Sequence, residues 1–220
     1  MSEEHTGRTK RLTRDDWLVQ GLAQLTAMGP EGVRLEAICE SLGKTRGSFY
    51  HHFEDHDAFV EQMMRLWQDM NTDDVIDMIE AQADLSSDDL ADIAAELGPD
   101  ALADLGFDPQ GARGRLNQIA ALMDHNMEQA IRRFALTRPA AMAVVQEIDH
   151  RRIGYLARLT MQEFGISSDD ATALAEIEYA AFVGCQHLFP NADPERLEAI
   201  GTRVDQMVAL AAKEAHLARA

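Results

Sequence analysis

Cysteine is nearly missing from this chain: Cys39 and Cys185 are the only two in 220 residues. Both fall in apolar helical patterns far apart in sequence. A disulfide framework is therefore excluded, and the reducing cytoplasm is the expected compartment. Long apolar runs are missing too, since no stretch approaches the roughly 20 residues of a membrane span. The polar start of the chain through Lys10 and Arg11 has no apolar signal core behind it. No run of alternating β-branched residues and no hairpin dipeptide occurs, which leaves strands without support. Phosphate-binding glycine loops, nucleophile elbows and His-Glu-x-x-His zinc helices are also lacking. Asp124-His125 and Asp149-His150 are adjacent pairs that point about 100° apart on a helix. No catalytic residue and no cofactor is expected.

Basic residues are scarce in one region. The formal net charge of −18 looks wrong for a partner of nucleic acid until it is divided along the chain. Residues 1–53 hold seven basic and seven acidic side chains, whereas residues 54–110 hold Arg65 as their one base against 17 acids. Acidity belongs to the middle, where it would repel phosphate, and an oriented head at the N-terminal end escapes it.

What is present reads as helix almost throughout, and the 46% apolar content is enough for a sizeable core. Thr13 and Asp16 form a capping-box pair before the stripe Leu18, Leu22, Leu25 and Met28, which Gly29-Pro30 ends. A short second helix carries Leu35, Ile38, Cys39 and Leu42 and closes at Gly43. A third spans 45–52 with Phe49 inward. Asp55 caps a longer fourth with Phe59, Met63, Leu66, Trp67 and Met70 in register. Residues 80–110 suggest short acidic helices and loops. Further helical stretches cover roughly 114–136 and 138–164, and two more follow Ser167 or Ser168 and Pro194.

The most informative stretch is 43–53, Gly-Lys-Thr-Arg-Gly-Ser-Phe-Tyr-His-His-Phe. Thr45 can cap a short rod on which Arg46, Ser48, Tyr50 and His51 share an outward face, while Phe49 and Phe53 anchor it. Arginine suits a guanine edge, and hydroxyls suit bases or phosphates. That is the second helix of a helix-turn-helix.

Residues 12–70 resemble the N-terminal domain of the TetR family of transcriptional regulators. The resemblance rests on Gly21 and Leu22, Gly29 and Gly32, Leu35 to Leu42, and Gly43-x-Thr45-x-Gly47-Ser48-Phe49-Tyr50-x-x-Phe53. It implies an all-α protein in which a three-helix head, residues 1–53, is joined by a long helix to a ligand-binding and dimerisation body, residues 54–220. It implies DNA contacts from Arg34, Lys44, Thr45, Arg46, Ser48, Tyr50, His51 and His56, with Tyr50 on phosphate. Arg34, Lys44 and His56 replace the threonine, valine and lysine usual at their places. His56 would make its phosphate contact pH-sensitive. Arg8, Lys10 and Arg11 are a candidate flexible arm. His51, His52, Glu54, Asp55, His56 and Asp57 also have the residue types of a zinc or nickel site. A helix break at Asp55 would keep His52 and His56 off one face, so no metal is expected.

In the body, Met63, Trp67, Met70, Met123, Phe134, Tyr155, Tyr179 and Phe182 are candidates to line an effector pocket. The effector's charge stays open. Arg132, Arg133, Arg138, Arg151, Arg152 and Arg158 would suit an anion, and the acidic stretch 84–108 a cation. The helix after Ser167 has two apolar faces and so needs two neighbours. Leu174, Ile177, Ala181 and Leu188, with Ile200, Val204 and Met207 of the last helix, are the candidate dimer interface. The expected partners are a palindromic operator in double-stranded DNA, a second copy of the chain and a small-molecule effector, with no membrane. Two alternatives are a DNA-binding dimer controlled by a protein partner at the acidic 73–108 region and a helical module that does not bind DNA.

Overall fold

The computed structural model describes residues 12–83, 111–123, 125–189 and 193–218. Among them the regular structure is helical, and no strand occurs. The arm residues 1–11 and the acidic segment 84–110, including 84–108, lie outside the described residues.

Helix α1 (Arg14–Met28) starts at the expected capping box. The Asp16 N–H donates to Thr13 Oγ1 at 3.2 Å, and the Thr13 N–H donates to Asp16 Oδ2 at 2.7 Å. Gly29, at φ 69°, turns the chain into a 3-10 turn over Gly29–Val33. Helices α2 (Leu35–Ser41), α3 (Arg46–Tyr50) and α4 (His56–Gln68) follow. Asp55 caps α4 by accepting from the Ala58 N–H at 2.7 Å, which confirms the break before it.

The long fourth helix departs from its expected register. A π-helical turn, Asp69–Asp73, separates α4 from α5 (Asp74–Ala83). The wider turn carries Met70 out to solvent, where it is 46% exposed, and brings Thr72 inside in its stead. Beyond the undescribed segment lie α6 (Ala112–Leu122) and α7 (His125–Ala135). The stretch read as one helix over 114–136 is therefore two, because the Met123 backbone is extended at ψ 158°. Helices α8 (Pro139–Phe164), α9 (Ser168–Leu188) and α10 (Pro194–Leu217) complete the fold, the last two capped by Ser167 and Asp193.

One continuous core runs from the first four helices into the body. Trp17, Leu22, Leu25, Ile38, Phe49, Phe53, Phe59, Met63 and Trp67 join Ile131, Phe134, Val145 and Ile148 in a single cluster. Burying each large side chain contributes about 1.5–3 kcal/mol. Two glycines let the backbones approach closely enough. A Cβ on Gly21 would lie 2.7 Å from Phe59 Cζ and 2.9 Å from Met63 Sδ, where α4 crosses α1. A Cβ on Gly32 would lie 2.4 Å from the Gln24 carbonyl oxygen.

A second hub is ionic. The Arg113 side chain, 3% exposed, donates to Glu163 at 2.7 Å, Glu178 at 3.0 Å and Asp205 at 2.5 Å. These residues stand on α6, α8, α9 and α10, so one guanidinium ties four helices. Burial pushes the Glu178 carboxyl above the ordinary carboxylate range, against the opposing pull of Arg113.

Two predictions follow from these contacts. Gly32→Ala should destabilise more than Gly21→Ala, because backbone cannot yield where the Phe59 and Met63 side-chain ends can. Overpacking costs about 1–3 kcal/mol, measurable by denaturant unfolding. For Glu178, a folded-state pKa above the unfolded one means that stability falls as pH rises through the gap between them. Glu178→Gln should match the parent near pH 4 and become progressively more stable than it toward pH 7.5, as read from unfolding midpoints across that range.

Candidate nucleic-acid interface

The orientation of α3 is fixed by one buried ring. Phe49 is fully buried, with Trp17 at 5.7 Å, Phe53 at 5.0 Å and Phe59 at 5.4 Å between ring centroids. With Phe49 inward, the opposite side of so short a helix must face out. Thr45, Arg46, Tyr50 and His51 are exposed, and Lys44 and Ser48 are partly so. The Tyr50 ring, 53% exposed, packs edge-on against Phe49 at 5.4 Å, leaving its hydroxyl end in solvent.

The turn before α3 is equally constrained. Gly43 takes φ 60°, a left-handed conformation that favours glycine. Past it, the Lys44 N–H donates to the Cys39 carbonyl at 2.8 Å. Thr45 Oγ1 accepts from the Ser48 N–H at 3.3 Å as the helix cap.

Three residues have arrangements that the sequence did not disclose. Arg46 is ion-paired to Glu36 on α2, both side chains being well exposed. Arg34 pairs with Glu31 at the start of α2. His56 Nε2 donates to the Val33 carbonyl at 2.7 Å. Only Nδ1 of that ring remains for a phosphate, so His56 first serves to hold α4 against the 3-10 turn. The eight candidates thus fall into two groups. Lys44, Thr45, Arg46, Ser48, Tyr50 and His51 cluster on α3 and its ends, while Arg34 and His56 adjoin Val33.

The candidate effector residues are dispersed. Met63, Trp67 and Phe134 belong to the main core, and Tyr155 packs with Ile79 and Leu159 in a second cluster. Tyr179 and Phe182 are neighbours at 6.2 Å, Met123 ends α6 half-buried, and Met70 faces solvent. What lies among them is a charge-balanced network. Arg152 sits 5.4 Å over the Trp67 ring and donates to Thr72 Oγ1 at 2.9 Å and the Asn71 carbonyl at 3.1 Å. It also reaches Glu128 at 3.1 Å and the Tyr179 hydroxyl at 3.3 Å. Arg132 grips Asp149 through two donors at 2.9 and 2.6 Å, and Tyr179 donates to Asp149 at 2.6 Å. Burial alone would raise the Asp149 carboxyl, but the hydrogen bonds from Arg132 and Tyr179 hold it below the usual range. Burial pushes the Tyr179 hydroxyl up to about 12.

Sequence reasoning missed Arg113, Glu178, Glu128 and the grip of Glu36 on Arg46. Apart from the i,i+4 pair of Glu128 with Arg132, each depends on a partner outside the same helix, which no periodicity reports.

A short polar helix presented over an aromatic anchor, two glycines at close crossings and a capped entry to the next helix make up a helix-turn-helix. Residues 18–63 match the family model of bacterial regulatory proteins, tetR family. That match bears out the resemblance read from the head: this segment is similar to the DNA-binding domain of those transcriptional regulators. No curated protein matches the chain. Among the described residues no helix is long and apolar enough to cross a membrane.

The Glu36–Arg46 pair yields a prediction. An exposed pair is worth about 0.2–1 kcal/mol, and Glu36 adds a negative charge beside the DNA-facing helix. Glu36→Gln should tighten DNA binding by roughly two- to fivefold, as measured by fluorescence anisotropy at fixed salt.

Proposed function

We propose that the chain is a homodimeric repressor that a small molecule releases from a palindromic operator. Residues 1–53 serve as the DNA-binding head and residues 54–220 as the effector-binding and dimerisation body, in the cytoplasm. The observation that carries the reading is the outward face of α3, where Arg46, Ser48 and Tyr50 stand opposite the buried Phe49. Arg46 and Ser48 read base edges, Tyr50 grips phosphate, and Lys44, Thr45, His51, Arg34 and His56 flank them on the backbone.

Supporting the dimer, α9 and α10 leave a broad apolar surface uncovered. Ile177, Leu188 and Met207 are each at least 60% exposed, and Leu210 continues the patch. Ala181, Ile200 and Val204 border it half-buried. Leu174 contributes less, because it packs against the Ile166–Ala171–Ala212 cluster of its own chain. Pairing the two helices with their symmetry mates buries this surface as a four-helix interface and sets two heads in successive major grooves, about 34 Å apart or further.

Supporting release by an effector, Arg152 links the π-turn below α4 to Glu128 on α7 and Tyr179 on α9. A ligand that rearranges these body helices therefore shifts α4, and with it the head. A nearly complete switch requires about 5 kcal/mol of discrimination between the two arrangements.

The test is a gel shift on the DNA upstream of the chain's own gene, with and without candidate metabolites. The parent should form a salt-sensitive complex. Arg46→Ala and Tyr50→Ala should each weaken it by about 1–3 kcal/mol, roughly fivefold or more, with the dimer intact by sedimentation. Parent-like binding by both variants would refute the proposal.

A further inference from the structure

A half-open cleft of about 500 Å³ lies where the C-terminal end of α1 meets α7. That volume falls within the roughly 300–1,000 Å³ of small-molecule sites. Leu25, Met28 and Pro30 form one wall and Ala130 part of the other, and Arg133 stands at the edge. Thr26, also in the wall, commits its hydroxyl to the Leu22 carbonyl at 2.9 Å, so it offers a ligand no free donor.

Of the arginines near Arg133, Arg138 lies 4.7 Å over the Phe134 ring, and four others are taken up by carboxylates. Arg132 and Arg152 share Glu128, Arg151 holds Asp73, and Arg158 holds Glu80. Arg133 has no carboxylate partner among the described residues. Its Nη2 donates at 3.0 Å to Gln129 Oε1, a neutral acceptor. Gln129 is itself 6% exposed and fixed from behind, because its Nε2 donates to the Gln186 carbonyl at 2.7 Å. The buried amide thus orients an arginine that has no other hydrogen-bond or ion-pair partner among the described residues.

We infer that this cleft binds a small amphipathic monocarboxylate. Its carboxylate pairs with the open edge of the Arg133 guanidinium, which suits two parallel N–H donors to one carboxylate. Its hydrocarbon or aryl body lies against Leu25, Met28, Pro30 and Ala130. With one cation at its edge, beside Asn126 and the apolar side chains, the cleft selects a single negative charge over a polyanion. The site is separate from the body interior, and because its walls belong to α1 and α7, occupancy responds to how the head rests on the body.

Isothermal titration of the full chain with octanoate and 2-naphthoate, and with their neutral primary amides, tests the assignment. At least one acid should bind, and at least tenfold more tightly than its amide. Arg133→Gln should abolish that preference while leaving the unfolding temperature unchanged, since the side chain is exposed. Ala27→Trp, which fills the cleft from the exposed side of α1, should abolish binding of acid and amide alike. Equal binding of acid and amide, a preference retained in Arg133→Gln, unaltered binding in Ala27→Trp, or no binding of either acid up to millimolar concentration would each overturn it. The titration contains no DNA, so its failure leaves the operator reading standing, and failure of that reading leaves the titration result unaffected.

Discussion

One helix, α4, packs against both parts of the molecule, and the rest of the structure depends on that contact. Its apolar face, Phe59, Met63 and Trp67, closes the aromatic core beneath α3 at one end and joins Phe134 and Ile148 of the body at the other. Gly21 is what admits it, because any side chain there would strike Phe59 and Met63. The same packing that buries Phe49 turns Arg46 and Tyr50 outward. Presentation of the reading face is therefore a consequence of core formation, with no separate device needed.

Charge is distributed to match. The head combines exposed cations with two local acids, Glu31 and Glu36, that hold Arg34 and Arg46 while DNA is absent. Such exposed pairs are weak. The body does the opposite with its charges: Arg113 is buried, Arg132 and Arg152 are largely covered, and each is multiply bonded, so that removing a guanidinium would leave its carboxylates unpaired. The surface pairs can yield, whereas the interior ones hold helices in register. Arg133 belongs to neither set, being exposed yet without an acid.

Much of this was legible in sequence. The caps at Thr13, Asp55 and Ser167 and the stops at Gly29 and Gly43 are local signals, since a cap bonds an amide only three residues away. The outward face of α3 was legible because one aromatic anchor fixes the rotation of a five-residue helix. Less legible was the fate of long patterns. The stripe through Met70 ignored the π-turn, and the apparent helix over 114–136 hid a break at Met123. In both places apolar spacing continues smoothly while the backbone does not.

The sequence by itself determined the helical class, the caps, the family of the head and the segregation of acid toward the middle of the chain. Each of these is set by neighbours within a few residues or by composition. Only the tertiary structure decided which of the body's arginines are paired with acids. Arg113 finds Glu163, Glu178 and Asp205 at separations of 50, 65 and 92 residues, and Arg152 finds Thr72 at 80. Ion pairing at such distances depends on how helices cross, and no spacing along the chain encodes it.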